Sequence, residues 1–173
     1  MGWSLVRAII LLPGMVLGVI PFFITWLTRN TRFSASAASH QQAVFWLAIF
    51  VAGIALVLII RTVSLFFKTG KGTPAPWDPP KKFVVSGPYR YMRNPMITGA
   101  LLVLLAESLL FQSWPLVCWM CVFLIGNMIY FPLVEERGLK RRFGEDYALY
   151  CKNVPRWLPR LRPWKPEGEN QPL

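Results

Sequence analysis

Four runs of apolar residues, each close to the length of a bilayer crossing, constrain this chain more than any other feature. Leu5 to Leu27 contains one charge, Arg7; Ala43 to Phe67 contains one, Arg61; Met96 to Phe111 contains one, Glu107; Trp114 to Val134 contains none. A helix needs about 20 apolar residues, within a range of about 17–25, to cross the hydrocarbon core. Three runs meet that length and the third is slightly short. Only Gln112 and Ser113 separate the third run from the fourth, so the two read as a tight helical hairpin. The expected fold is an all-α integral membrane bundle of about four transmembrane helices, in one domain over 1–173 with no internal repeat. Composition agrees: 16% of the residues are charged, against roughly 25% in a typical soluble domain.

The first run has a rival reading as a signal peptide, with Ala35-Ser36-Ala37 as the cleavage site. Its apolar stretch is longer than the usual h-region of about 7–15 residues, and Arg29 and Arg32 intervene, so a retained span is expected.

The net charge of +11 follows the spans. Lys68 to Arg93 carries six basic residues, the chain from Glu135 onward carries nine, and the loop between the first two spans carries Arg29 and Arg32. Four spans put both basic regions on the same side as the N-terminus, and the positive-inside rule makes that side cytoplasmic. Orientation and headgroup contact account for the charge, so no nucleic-acid partner is expected. Cys118 and Cys121 have CxxC spacing but lie inside an apolar span, where packing is the better reading than redox chemistry. Neither a disulfide framework nor a metal site is expected, and His40 reads as a solvated loop residue.

Residues 1–67 form two spans, the first containing Pro13, Gly14, Gly18 and Pro21. Residues 68–93 form a loop too proline-rich to be helical. Residues 94–134 form the hairpin, residues 135–151 an amphipathic cytoplasmic helix, and residues 164–173 a flexible tail.

Three places can carry chemistry. Asn94-Pro95 is a helix-start signal, a capping side chain followed by proline at the first helical position. The N-terminus of that span offers free amides and a positive dipole end, which favour anions. Arg90 and Arg93 add charge there, and Tyr89 and Tyr91 add aromatic surface. The alternative is an ordinary capped helix with interfacial anchors.

Glu135 and Glu136 are the second place. Leu139, Phe143, Tyr147 and Tyr150 form one apolar stripe, and Glu135 lies four residues before Leu139, on that stripe. Glu136 lies four before Lys140 and is expected to pair with it outside. Glu135 is therefore the acid expected to meet a bound cation, or else to pair with Arg90 or Arg93. The third place is Glu107, an ionisable residue within a span and so a candidate by default. It shares a face with Met96, Ala100 and Val103 and lies about 18 Å from the helix start. It is expected to pair with Arg61 or Asn127, or to line a substrate cavity.

Gly87-Pro88-Tyr89-Arg90-Tyr91, Arg93-Asn94-Pro95, Gly99, Glu135-Glu136, Phe143 to Tyr147, and Val154-Pro155-Arg156 with Pro159 stand in this order over about 81–163. The set resembles the isoprenylcysteine carboxyl methyltransferase and phospholipid methyltransferase family. The resemblance implies membrane helices with a cytoplasmic pocket for S-adenosylmethionine. Cofactor contacts would then fall on Val84, Tyr89, Arg93, Asn94, Pro95, Met96, Ile97 and Glu135. The members that methylate prenylcysteine have His in place of Asn94 and Tyr in place of Ile97. At the position of Phe131 they have an Arg linked to the substrate carboxylate. These departures point away from a prenylcysteine and toward another lipophilic or membrane-partitioning acceptor, with Phe131 and Glu107 as candidate substrate contacts. Methyl transfer to a reactive nucleophile needs mainly alignment and proximity, so the lack of an evident general base, Glu107 aside, is no obstacle. The alternatives are phospholipid N-methylation, where Glu107 or Glu135 could steady a cationic headgroup, and a non-catalytic four-helix membrane adaptor. The oligomeric state is left open.

Overall fold

The computed structural model describes residues 13–69 and 85–165. Five helices carry the fold: α1 (Met15–Thr28), α2 (Ala43–Thr69), α3 (Pro95–Leu110), α4 (Trp114–Tyr130) and α5 (Glu136–Asn153). A short 3-10 turn, Gly87–Arg90, precedes α3. Among the described residues every regular element is helical.

Helices α2 and α3 run antiparallel in the most extensive contact of the bundle. Gly99 sets their separation. A Cβ there would lie 2.7 Å from Ile59 Cγ1 and 3.6 Å from the Ala55 carbonyl oxygen, so only glycine lets the backbones approach this closely. At the far end of α3, Ser36 and Ala38 donate to the Phe111 and Leu110 carbonyls at 2.9 and 2.7 Å. The α3–α4 hairpin turns at Gln112, whose φ of 45° is left-handed, and at Ser113, as the two-residue gap requires. Helix α1 packs on α4, with Trp119 Nε1 donating to the Val16 carbonyl at 3.1 Å.

Prolines inside two helices have a visible consequence. Proline lacks the N–H that would continue the ladder and its ring crowds the preceding turn. The chain widens to π-helix at Met15–Val19, just before Pro21, and at Phe131–Glu135, around Pro132. Each insertion changes which residues face inward from that point on.

Two helical segments are long and apolar enough to cross a membrane: Ala43–Leu65, with 23 residues, and the apolar part of the continuous helix Trp114–Asn153, with 40. Met15–Thr28 and Pro95–Leu110 are apolar but shorter. The outer faces of these helices expose large apolar side chains, among them Phe22, Trp46, Phe50, Val57, Trp114 and Ile129. A belt of this extent exceeds what a water-soluble monomer leaves uncovered. The architecture is an all-α, membrane-associated bundle.

Helix α5 is amphipathic, as its stripe requires. Tyr147 and Tyr150 form a buried cluster with Val154, and Leu139, Phe143, Val85 and Trp164 pack against it. Trp164 falls where the sequence suggested a flexible tail, but its N–H donates to the Arg90 carbonyl at 2.9 Å and its ring lies 5.7 Å from that of Tyr150. An apolar surface beside a buried tyrosine holds it.

Candidate functional site

The polar residues concentrate at the head of α3. The helix begins at Pro95 as expected, with the Asn94 carbonyl accepting from Thr98 N–H and from Thr98 Oγ1, both at 3.0 Å. Pro95 has no N–H, and the amides of Met96 and Ile97 belong to the first turn, which has no helical acceptor. The Asn94 side chain does not cap them, contrary to expectation. Its backbone, at φ −120° and ψ 56°, is instead tied to residues 155–156, and its Nδ2 is buried without a hydrogen-bond partner. An amide donor beside uncapped helix amides is a ready position for an anionic group.

The segment after α5 crosses this head as a strap. Arg93 N–H donates to the Pro155 carbonyl at 2.9 Å and Asn94 N–H to the Arg156 carbonyl at 3.3 Å. Tyr150 Oη donates to the Tyr89 carbonyl at 2.8 Å, fixing the 3-10 turn against α5. Burial pushes the Tyr89, Tyr147 and Tyr150 hydroxyls well above the usual phenol range, so all three stay neutral at physiological pH.

Glu136 does not take the outward role expected of it. Glu136 points inward and holds two arginines: Arg93 Nη1 donates to Glu136 Oε1 at 2.9 Å, while Arg156 Nε and Nη2 donate to its two oxygens at 2.8 and 2.9 Å. Arg93 Nη1 also reaches Cys151 Sγ at 3.1 Å. The backward extrapolation of the stripe assumed uniform winding, and that fails at both ends. Gly144 has φ 53° inside α5, and the π turn ends at Glu135. Glu136, three residues before Leu139, lands on the flank facing Arg93 and Arg156 rather than on the Lys140 side.

Glu135, one residue beyond the apolar run, is solvent-exposed on one side. The protein around it, and secondarily the Glu136 charge, push its carboxyl up to about 7. Its charge adds a lesser further push to the Tyr89 hydroxyl, after burial and Tyr150.

The head of α3 carries Arg93, Asn94, Pro95, Met96 and Ile97, and Tyr89 in the turn before it is tied to α5 through Tyr150; Glu135 lies one residue before the Glu136 that pairs with Arg93. Val84 lies outside the described residues. Phe131 is buried and packs edge-on against Trp157, ring centres 5.8 Å apart; the apolar face expected to meet an acceptor is occupied by the strap. Glu107 lies 12 residues beyond Pro95 on α3, about 18 Å along the axis. Its Oε2 is buried without a hydrogen-bond partner. The expected pairing does not form among the described residues: Asn127 Nδ2 donates to the Phe123 carbonyl, and Arg61 is exposed on α2, nearer the other end of α3.

Sequence reasoning missed Glu136, Arg156 and Arg160 as a group. Pro132 inside the fourth apolar run is the signal that warns of a register change before Glu135. Arg156 and Arg160 carried no helical periodicity that could place them.

The site's donor set suits a zwitterionic, cationic cofactor of the S-adenosylmethionine type. Asn94 Nδ2 and the first-turn amides match a carboxylate, and Glu135 matches an ammonium. Among known families, the one described as phospholipid methyltransferase matches residues 41–146, from just before α2 into α5. No curated protein and no solved structure matches the chain.

Proposed function

Because the chain belongs to the phospholipid methyltransferase family, we propose that it methylates the amine of a phospholipid headgroup at the head of α3. Membership makes it an S-adenosylmethionine-dependent membrane methyltransferase acting on a lipid-associated acceptor, which sets aside a non-catalytic adaptor. The finer reading rests on one observation: a buried donor unpartnered among the described residues, Asn94 Nδ2, at an uncapped helix start, with Glu135 one residue from the Glu136 that pairs with Arg93.

When bound, the cofactor supplies a methyl group on a positively charged sulfur. Asn94 and the amides of Met96 and Ile97 hold its carboxylate, Glu135 meets its ammonium, and Tyr89 offers a neutral ring and hydroxyl. The phospholipid reaches the same place from the bilayer. Its ammonium would first give up a proton to water at the polar face; the nitrogen would then take the methyl group as the carbon–sulfur bond breaks and the neutral thioether leaves, with alignment within contact distance supplying most of the rate. Phe131 brings no cation of its own to an acceptor carboxylate, and Arg156, next to the Trp157 that covers it, is committed to Glu136; a carboxylate buried there without a cation would be costly. Glu107, about 18 Å away, is not placed to touch the transferred group.

The proposal includes the topology. All four apolar helices cross, both termini and the 68–93 loop lie on the cytoplasmic side, and the 28–42 loop lies outside, as the charge distribution favours. The test is transfer of a radiolabelled methyl group by the purified protein, offering phosphatidylethanolamine beside a farnesylated cysteine analogue. Label in the phospholipid with little in the analogue is expected. Label in the farnesylated carboxylate alone would overturn the acceptor assignment.

A further inference from the structure

The strap over residues 154–164 is pinned at both ends. Besides the bonds from Arg93 and Asn94, Arg160 N–H donates to the Tyr91 carbonyl at 3.0 Å and Trp164 N–H to the Arg90 carbonyl at 2.9 Å. Val154, Trp157 and Trp164 all pack against protein. Leu158 and Leu161 do not. They are 79% and 100% exposed, the most exposed large apolar side chains among the described residues.

Comparable exposure elsewhere belongs mainly to the apolar helices, where lipid covers it. The strap is not in a span, but it is bonded to the residues immediately before α3, so it sits where that helix meets the polar face. Residues 154–165 contain Arg156, Arg160, Arg162 and Lys165 and no acid. Arg156 is held by Glu136, Arg160 Nη1 is buried without a hydrogen-bond partner, and Arg162 and Lys165 are exposed. Bare leucines alternating with cations fit a lipid interface carrying negative charge. The family match ends at residue 146, before the strap begins.

We propose that the strap is a docking element for anionic phospholipid in the protein's own bilayer. Leu158 and Leu161 enter the interfacial layer, and the exposed Arg162 and Lys165 hold negative headgroups. Docking seats residues 155–156 on the amides of Arg93 and Asn94, so the lipid surface steadies the cofactor site. The proposal rests on the cytoplasmic placement of the head of α3 given above.

The experiment places the protein in nanodiscs of phosphatidylcholine, with and without phosphatidylglycerol. A nitroxide is attached at Leu161→Cys in a background of Cys118→Ala, Cys121→Ala and Cys151→Ser, the last keeping an acceptor for Arg93. Collisions with oxygen, which partitions into lipid, are compared with collisions with a water-soluble nickel chelate. The label should favour oxygen in the anionic discs and shift toward the chelate in phosphatidylcholine alone. Arg162→Glu and Lys165→Glu should each weaken docking by at least about fivefold. Amide exchange over residues 157–163 of the unsubstituted protein should slow in the anionic discs, which checks the result without any substitution. Equal chelate access and equal exchange in both compositions would overturn the proposal. Both readouts need no cofactor, so failure to bind S-adenosylmethionine would count against the functional reading alone.

Discussion

Glu135 and Glu136 are adjacent in the chain, yet their substitutions should fail in different ways. Glu136 pairs with both Arg93 and Arg156, offsetting one of their two charges, with side-chain exposures of 19%, 13% and 30%. Glu136→Gln leaves two guanidinium groups short of an anion and should lower stability by about 2–3 kcal/mol, read as an earlier unfolding transition in detergent. Glu136→Asp should recover part of that loss. Glu135 holds no such pair among the described residues, and Glu135→Gln should weaken S-adenosylmethionine binding without lowering stability near neutral pH. Its titration gives the sign of a pH effect. With the carboxyl raised to about 7 by burial and by Glu136, the anion that attracts an ammonium forms only as pH rises through that value. Cofactor affinity should therefore climb between about pH 6 and 8, and Glu135→Gln should flatten the rise. Without cofactor the sign reverses. A carboxyl with a raised value adds stability below its ordinary range and loses it as pH rises through about 7. Loss of cofactor affinity on Glu136→Gln with no loss of stability would refute this division of labour.

Gly99 is the most sensitive point among the elements, because the closest helix contact passes through it. Gly99→Val should force α2 and α3 apart, since even a Cβ meets Ile59 Cγ1 at 2.7 Å. A loss of about 1–3 kcal/mol is expected, measured by thermal unfolding, with Ile59→Ala in the same chain restoring part of it. The helices themselves were legible in the sequence: the start at Pro95, the turn at Gln112 and Ser113, and the stripe from Leu139 to Tyr150 follow from proline geometry, loop length and periodicity. What periodicity could not supply was the register after Pro132, because a π turn adds a residue without changing composition. Nor could it place the strap, whose backbone pairs with Arg90 to Asn94 across more than 60 residues of chain and leaves no repeating pattern. The missing Asn94 cap has the same origin: the amides of Arg93 and Asn94 donate to strap carbonyls, and the Asn94 Nδ2 has no partner among the described residues.

For the whole molecule, the proposed site lies at the start of α3, and in that reading a water-soluble cofactor and a lipid reach the same few residues from opposite directions. The four-span topology makes a direct claim about sidedness. Cysteine labels near Ser36 and near Thr73 should react with an impermeant reagent from opposite sides of the membrane, and equal reactivity from one side would overturn it. The central claim, that the head of α3 holds S-adenosylmethionine, is tested most directly by equilibrium binding of the labelled cofactor to the detergent-purified protein. It should be measured alongside Asn94→Leu, which removes the unpartnered donor without altering the Glu136 pair. Saturable one-site binding by the natural sequence, weakened at least about tenfold in Asn94→Leu with the fold intact, is the result expected. Absence of saturable binding by the natural sequence, or equal binding by both proteins, would contradict it.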